Sequence, residues 1–335
     1  MKRLGFLYER IAAPDNLRLA FIKARRGKQL RDEVRCFTQH LDANLRDLQA
    51  RLLQGPDGLD LGNYRYFTVF DPKERRICAP VFPERILHHA IINVAGPYLD
   101  RHQIAHSYAC LKNRGTYQAL AQAQHLAQRN RFYLKLDIRK YFDSIYHQIL
   151  VEQLTRRFKD PKLLRLFERI IGSYQTTPGR GLPIGSLTSQ YFANHYLSRF
   201  DHFIKERLGA QAYVRYMDDF VLWHDSKTQL KQWYDAIDAY LRERLRLALN
   251  PLRLNYASRG MTFLGYKVLP AGIRLSQRSR KRFVQKFRAY ERQWQDGRWS
   301  EMALATHMMP LFAFVKHANT VNFRQQIIRQ YGVYL

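Results

Sequence analysis

Residues 213–223 read Tyr-Val-Arg-Tyr-Met-Asp-Asp-Phe-Val-Leu-Trp, two strand-like runs on either side of a pair of acids. β-Branched and aromatic residues favour strands, whereas Asp218 and Asp219 favour a turn, so the stretch predicts a β-hairpin with carboxylates at its tip. Two adjacent carboxylates repel each other unless a cation neutralises them, and hard divalent cations prefer oxygen ligands. An ordinary solvated turn contains the same dipeptide, so its function depends on a further acid elsewhere in the chain.

That further acid is Asp137, which ends a second strand-like segment. Residues 132–136 read Phe-Tyr-Leu-Lys-Leu and precede it directly. A carboxylate at the end of a central strand can face a neighbouring hairpin and form a two-metal site with ions about 3.5–4 Å apart. Such a site catalyses phosphoryl transfer, because the ions activate a primer 3′-hydroxyl and hold a triphosphate. Asp137, Asp218 and Asp219 are therefore the predicted catalytic residues and metal ligands.

Five stretches resemble the sequence motifs of reverse transcriptases and occur in the family's order between residues 64 and 268. They are residues 134–138 (motif A), 181–190 (motif B), 216–219 (motif C), 263–266 (the primer-grip motif E) and 71–85 (the fingers motif). The resemblance implies an α+β chain with the right-hand polymerase fold. Its parts would be fingers, a palm with an antiparallel sheet, and a short helical thumb.

The resemblance and the local patterns together predict the domain boundaries. Apolar residues every three or four positions between Leu30 and Leu48 predict one amphipathic helical face. Residues 187–207 similarly predict one long helix after motif B. The expected domains are an N-terminal helical extension (1–60), fingers (61–131), a palm (132–270) with a fingers-type insertion at about 150–180, and a thumb (271–335).

The resemblance also implies roles for single residues. Two Mg²⁺ ions, with Mn²⁺ as a substitute, would be held by the three aspartates and the backbone carbonyl of Ile138. Phe142 would select deoxynucleotides as a steric gate, or it is simply a core aromatic. The residues expected to bind the incoming dNTP are Lys73, Arg75, Phe142 and Gln190, and those of the primer grip are Phe263, Leu264, Gly265 and Tyr266.

Motif B narrows the resemblance to one type of reverse transcriptase. Most members carry Gln where this chain has Ile184 and Pro where it has Gln190. The pattern Ile-Gly-x-x-x-Ser-Gln resembles that of diversity-generating retroelements. These enzymes copy a template-repeat RNA into cDNA with errors at adenines, and the cDNA diversifies a target gene. The resemblance implies two partners besides the template RNA and RNA/DNA duplex: a structured RNA, and a small basic helical accessory protein that forms a ring.

Ile184, Gly185 and Arg85 are the residues expected to contact the template and set fidelity. An apolar wall discriminates between ligands by only about 1–3 kcal/mol, whereas a polar group that must be satisfied discriminates more strongly. Replacing Gln by Ile184 would therefore lower fidelity. The alternative is that Ile184 only packs under the motif B helix.

Two other functions remain compatible with the sequence. A retron-like or phage-defence reverse transcriptase would share the acids but differ in template and product. From a different class, a catalytically silent RNA-binding scaffold could keep the polymerase fold. The intact Asp137, Asp218 and Asp219 favour an enzyme over the scaffold.

The composition agrees with a nucleic-acid partner. The chain carries 56 Lys and Arg against 28 Asp and Glu, a formal charge of +28. Such a charge predicts strongly salt-dependent binding to a polyanion. Residues 278–299 interleave basic and aromatic side chains at spacings compatible with one helix, so the aromatics are expected to pack inward. Arg280, Lys281, Arg282 and Lys286 are the expected nucleic-acid contacts. A basic membrane-surface helix is less well supported, because no long apolar anchor accompanies it.

Several features limit the remaining possibilities. No apolar run approaches the length of a membrane span, and the N-terminal residues 1–5 lack the long apolar core of a secretion signal. No membrane association and a cytoplasmic location are therefore expected. The three cysteines predict free thiols. Members of the resembled family usually have a Lys in the segment that corresponds to Asn250, and this Lys protonates the leaving pyrophosphate. In this chain, Arg253 or water would be the proton donor. His102 and His106 are expected on one helical face as surface or packing residues.

Overall fold

The N-terminal segment is helical, but it contains several short helices. The structure is a computed structural model and describes residues 5–70 and 74–332. The predicted amphipathic face is divided between two helices, because the chain bends at His40, and Leu30 lies outside both with 91% of its surface exposed. The helices are α1 Tyr8–Ile11, α2 Pro14–Arg25, α3 Asp32–Gln39 and α4 Leu41–Gln54.

The next segment forms an antiparallel hairpin and two helices. The hairpin pairs Tyr64 with Pro80 at one end and Phe70 with Glu74 at the other. The first helix after the hairpin is apolar on most of its surface and packs against α2, as expected of a helix at the centre of a core. The elements are β1 Tyr64–Phe70, β2 Glu74–Pro80, α5 Phe82–Asp100 and α6 Thr116–Arg129.

A four-stranded antiparallel sheet forms the middle of the molecule. Its strand order is β4-β5-β3-β6, and α10 packs against α5 next to it. The elements of this part are β3 Phe132–Asp137, α7 Tyr141–Ser144, α8 His147–Thr155, α9 Pro161–Gly172, α10 Leu187–Tyr196, α11 Ser198–His202, β4 Tyr213–Tyr216, β5 Asp219–His224, α12 Lys227–Leu245 and β6 Arg253–Tyr256.

Two expectations about helices are wrong. The single helix predicted for residues 187–207 is divided into α10, α11 and a π-helical turn at Phe203–Arg207, because local hydrogen bonding changes after His202. His102 and His106 do not share a helical face, since residues 101–115 form turns and bends. Instead, the His102 ring stacks on His202 with centroids 5.0 Å apart.

The C-terminal part contains a small antiparallel sheet followed by three helices. Phe283 and Phe287 are buried, and a second hydrophobic cluster joins them to Trp223 on the back of the four-stranded sheet. The predicted inward packing of the aromatic residues on the basic helix is therefore confirmed for these two rings. The elements are β7 Met261–Phe263, β8 Tyr266–Leu269, β9 Gly272–Leu275, α13 Gln277–Gln295, α14 Glu301–Lys316 and α15 Val321–Tyr331.

The cysteines and the lengths of the helices bear on two further expectations. Cys36, Cys78 and Cys110 are free thiols, as predicted. No helix within the described residues has the length and apolar character needed to cross a membrane.

Candidate active site

The three predicted catalytic aspartates meet where β3 approaches the β4–β5 hairpin. Met217 and Asp218 form the turn of the hairpin, and Asp219 pairs with Asp137 across the strands. Directly opposite residues of antiparallel neighbours lie on the same face of a sheet. The Ile138 N–H also donates to the Asp218 carbonyl at 3.2 Å, which fixes the tip of the hairpin against the end of β3. The backbone therefore gathers the acids as the sequence predicted.

Burial and mutual repulsion change the acidity of these carboxyls. Burial and, to a smaller extent, the negative charge of Asp137 together raise the pKa of Asp218 to about 6, against the opposing effect of Arg75. Burial also raises the pKa of Asp219 to about 6, although the Lys135 ammonium acts in the opposite direction. A cation at the site would relieve both effects, because it favours the ionised form.

Each acid at the strand ends has a specific partner. Asp137 Oδ2 accepts a hydrogen bond from the Asn250 side-chain amide at 2.7 Å. Asp219 Oδ2 accepts from Lys135 Nζ at 2.8 Å, while its Oδ1 is buried and has no hydrogen-bond partner among the described residues. Asp219 is thus held on one oxygen and has the other available for a ligand.

Sequence reasoning missed Lys135. Its ammonium also donates to the Thr262 carbonyl at 3.0 Å and lies 5.4 Å from the centroid of the Phe263 ring. Lys135 therefore connects the acids to the motif E segment. Strand periodicity could have identified it, because Lys135 and Asp137 are two residues apart and share a face.

Sequence reasoning also missed the network around Arg215. Its guanidinium is fully buried and forms a bidentate ion pair with Asp201, with bonds of 2.8 and 2.6 Å. Its other donors reach Asn194, Gln103 and the Met217 carbonyl. All five N–H groups are satisfied, which is the requirement for a buried arginine. The sequence did contain a signal for this network, because Arg215 is a charged residue within an otherwise apolar strand-like run.

This network supports a strained turn. Met217 has a φ of +56°, which is uncommon for a residue with a side chain. Arg215 Nη1 donates to the Met217 carbonyl at 2.9 Å and so fixes that peptide. Strained backbone persists where the surrounding structure determines it, and here it presents Asp218 at the tip.

The predicted dNTP residues are only partly near the acids. Arg75 lies on β2 of the hairpin β1–β2, which we call the fingers hairpin, and its positive charge acts to lower the pKa of Asp218. Lys73 lies outside the described residues. Phe142 and Gln190 are half-buried, with the Phe142 carbonyl bonded to the Leu182 N–H at 2.9 Å. Their contacts with a nucleotide stay predictions.

The motif B loop packs against the fingers hairpin. The Ile184 carbonyl accepts from the Cys78 N–H on β2 at 2.7 Å. Gly185 has a φ of +118°, and a Cβ there would lie 2.8 Å from Ile77 Cγ2, so only glycine fits without a shift. The Ile184 side chain is half-buried, which is compatible with both interpretations of this residue.

Arg85 has a structural partner in the described residues. Its guanidinium donates to Glu33 at 2.6 Å and to the Pro80 carbonyl at 2.7 Å, and its side chain is 11% exposed. These bonds join α5 to α3. A template contact by Arg85 stays a prediction.

Motif E forms the turn between β7 and β8 and packs against the thumb. Leu264 and Gly265 both have positive φ, and a Cβ on Gly265 would lie 2.9 Å from the ring of Phe314. The Tyr266 hydroxyl donates to the Phe314 carbonyl at 2.6 Å, and the Phe263 ring is buried. The four residues therefore join the palm to α14, and their contact with a primer stays a prediction.

The basic residues of α13 line two cavities. Arg280 and Lys281 line a cavity of about 830 Å³ together with Lys267. Arg282 and Lys286 line a cavity of about 340 Å³. Both cavities offer cations to a polyanion, and contact of these residues with a nucleic acid stays a prediction.

An antiparallel palm sheet with acids at one edge, together with fingers and a helical thumb, defines the right-hand class of polymerases. Comparisons with known proteins agree. Residues 71–268 match the family model described as reverse transcriptase (RNA-dependent DNA polymerase). The structure of apo telomerase from Candida tropicalis has a TM-score of 0.51 at 13% identity, covering 82% of this chain and 60% of that chain. This likeness supports the fold alone.

Two curated relatives from Escherichia coli are similar over part of their length. Protein YkfC from strain K12 is 23% identical over 249 residues, which cover 61% of this chain and 65% of YkfC. The retron Ec73 reverse transcriptase is 28% identical over 183 residues, 50% of this chain and 55% of that protein. The chain thus spans less than two thirds of either relative.

The family match covers more than half of the chain, and the chain belongs to the reverse transcriptase (RNA-dependent DNA polymerase) family. This membership confirms the enzyme class and the α+β right-hand polymerase fold that the sequence predicted. The domain boundaries and the roles of single residues stay predictions.

Reverse transcriptases use divalent metal ions. Among the described residues, no group of three or more His, Cys, Asp or Glu side chains forms a ready metal site. However, Mg²⁺ in nucleotide-handling enzymes is usually held by one or two carboxylates and completed by substrate phosphates. The repelling pair Asp137 and Asp218 and the unpartnered oxygen of Asp219 fit that arrangement. The Ile138 carbonyl and the identity of the metal stay predictions.

Proposed function

We propose that this chain is an RNA-directed DNA polymerase whose catalytic residues are Asp137, Asp218 and Asp219. The observation that carries this proposal is the pairing of Asp137 with Asp219 across β3 and β5, with Asp218 in the strained turn next to them and within reach of the charges of Asp137 and Arg75. Burial makes the Asp218 and Asp219 carboxyls hard to ionise alone, which suits a site that binds cations.

The chain's own residues would perform three tasks. Asp137 and Asp218 present hard oxygen ligands, and Asn250 fixes the orientation of the Asp137 carboxylate. Lys135 holds Asp219 in one orientation. Arg75 offers a positive charge for the triphosphate of an incoming dNTP. Two divalent ions, Mg²⁺ or Mn²⁺ as a substitute, would supply activation of the primer 3′-hydroxyl and neutralisation of the phosphates when bound.

The finer proposal is an error-prone enzyme of the diversity-generating type, which copies a template-repeat RNA with substitutions at adenines. Its support is motif B, where Ile184 and Gln190 replace the more usual Gln and Pro. Ile184 is fixed by its backbone to β2, so its branched side chain offers a half-buried apolar surface. A small basic helical accessory protein that forms a ring and a structured RNA belong to this proposal as partners.

The test is cDNA synthesis on a defined RNA template, with sequencing of substitutions opposite each base. Parent protein and Ile184→Gln should be compared with and without the accessory protein. Adenine-selective errors in the parent, reduced in Ile184→Gln, would support the finer proposal. Accurate synthesis by the parent would contradict it while leaving the polymerase intact.

A retron-like enzyme is the second candidate. The specific observation in its favour is the similarity to the retron Ec73 reverse transcriptase. A retron-like enzyme should make cDNA accurately, without adenine-selective errors. The error spectrum of the cDNA therefore separates the two candidates. A silent scaffold would bind RNA and make no cDNA at all.

A further inference from the structure

A further basic cavity has no catalytic acid in its lining. A cavity of about 840 Å³ lies among α8, the segment from α11 through the π-helical turn, and α12. We call it the arginine pocket, defined by Arg156, Arg157, Arg199, Arg207 and Arg244. The catalytic aspartates are not among its lining residues.

The charge of the arginine pocket is poorly compensated. Its lining contains five arginines but only two carboxylates, Glu152 and Glu206, and Glu206 is already bonded to His202 at 2.6 Å. Arg199 and Arg244 are exposed, and neither forms an ion pair with a carboxylate in the part of the chain that the structure describes. Positive charges held this close together repel one another unless a polyanion neutralises them.

His102 does not add to this charge. Burial and the Arg157 guanidinium lower the pKa of His102 to about 3, so the ring is neutral at physiological pH. The Arg157 side chain contacts this neutral ring. Most of the positive charge of the pocket therefore comes from its arginines.

The pocket also contains aromatic surface. Phe203 and Tyr240 stack with centroids 4.4 Å apart and an interplanar angle of 21°, and both are half-buried. Phe203 begins the π-helical turn Phe203–Arg207, which also carries Arg207. Single π-helical turns are rare and occur frequently at functional sites. Proteins that bind single-stranded nucleic acids use arginines to contact phosphates and aromatic rings to stack on bases.

We propose that the arginine pocket binds the backbone of a single-stranded RNA segment outside the catalytic cleft. The planar guanidinium matches phosphate oxygens in a bidentate geometry, and the ring pair offers a surface for an unstacked base. An acidic protein segment would use the charge but not the rings. This proposal depends on the proposed function at one point only: RNA is chosen as the polyanion because the chain is proposed to be an RNA-directed DNA polymerase.

The test compares a pocket variant with a variant of equal charge. Arg199→Glu with Arg244→Glu changes two exposed arginines of the pocket. Arg35→Glu with Arg46→Glu changes two exposed arginines on α3 and α4 and gives the same net charge. The full chain is titrated with a fluorescein-labelled 30-nucleotide single-stranded RNA at several salt concentrations. Thermal unfolding first checks the fold, and Arg199→Gln with Arg244→Gln replaces any Glu variant that unfolds.

The pocket variant should bind the RNA about tenfold more weakly than the control variant, and its log–log salt slope should fall by about 1.4, since each lost single-strand phosphate contact contributes about 0.7. Equal binding and equal slopes in the two variants would overturn the proposal. Binding of a poly-glutamate peptide that is lost only in the pocket variant, with RNA binding unchanged, would also overturn it in favour of an acidic partner.

Primer extension separates this proposal from the proposed function. On a short preformed RNA template and DNA primer, the pocket variant should keep the parental rate, because the pocket is distinct from the acids. Weak RNA binding with normal extension supports the pocket. Extension lost along with RNA binding would place these arginines in the catalytic cleft and overturn the separation of the two sites. Absence of extension by the parent would contradict the polymerase proposal, while the binding result would still decide the pocket.

Discussion

The catalytic hairpin β4–β5 and the fingers hairpin β1–β2 have the same antiparallel pairing but opposite surroundings. Tyr213, Val214 and Trp223 of the catalytic hairpin are at most 1% exposed, whereas Phe67 and Phe70 of the fingers hairpin are 50% and 76% exposed. Elements with few buried contacts open at lower free energy than those in a core. The molecule thus holds its acids on a fixed support and carries Arg75 on a support that few other contacts restrain.

Breaking the support of the catalytic hairpin should have the largest effect on stability. Arg215→Met leaves the buried Asp201 carboxylate without its charged partner, so we expect a loss of about 3–5 kcal/mol in the free energy of unfolding. Urea unfolding measures it. The control is Arg18→Ala, which removes an exposed ion pair with Asp42 and should cost less than about 1 kcal/mol. Similar losses in both variants would refute a special role for the Arg215 network.

The contact between motif B and the fingers hairpin gives a smaller effect. Gly185→Ala should destabilise the chain by about 1–3 kcal/mol, because the new Cβ would clash with Ile77 at a positive φ. Gly179→Ala also has a positive φ but meets nothing within 4 Å, so only the backbone cost of about 1 kcal/mol applies. Equal losses would mean that the close approach to β2 does not matter.

The acidity of Asp218 predicts a pH-dependent effect of metal. Its pKa is raised on folding to about 6, so its ionisation lowers stability as pH rises from the unfolded value towards 6, and this cost is fully present above 6. A divalent cation should therefore raise the unfolding temperature at pH 7.5 by a few degrees and much less at pH 5. Asp218→Asn should weaken the metal effect at pH 7.5. An equal metal effect at both pH values would contradict a site built on this carboxyl.

Changes in the fingers hairpin should leave stability almost unchanged and affect substrate binding. Arg75→Ala should raise the KM for dNTP several-fold, with the free energy of unfolding within about 0.5 kcal/mol of the parent. The neighbouring Arg76→Ala is the control, because that guanidinium lies 4.3 Å from the centroid of the Tyr66 ring and is occupied there. The same KM in Arg75→Ala as in the parent would remove Arg75 from the dNTP site.

Much of the fold could be predicted because local patterns and tertiary structure agree. The strand-like segment before Asp137 and the two runs beside Asp218 predict strands with acids at their ends, and the structure confirms this arrangement. The helical spacing of α13 correctly predicts buried Phe283 and Phe287. Where the apolar periodicity of a segment matches the burial of its side chains in the fold, the sequence is sufficient to predict the structure of that segment.

The failures lie where distant contacts determine the geometry. The π-helical turn contacts α12 through the stack of Phe203 on Tyr240, and the spacing within residues 187–207 does not reveal that contact. The partners of Arg215 come from residues 103, 194, 201 and 217, so no local pattern predicts its network. Similarly, the close fit of Gly185 against Ile77 depends on the three-dimensional approach of two separate segments.

The most direct test of the central claim is primer extension on a defined RNA template with Mg²⁺ and all four dNTPs, comparing the parent with Asp218→Asn. The substitution keeps the shape of the turn and removes the charge that binds metal. We predict Mg²⁺-dependent DNA synthesis by the parent, a loss of about 10³-fold or more in the variant, and unchanged RNA binding. Equal synthesis by the two proteins would contradict the assignment of Asp218 and with it the account of the site.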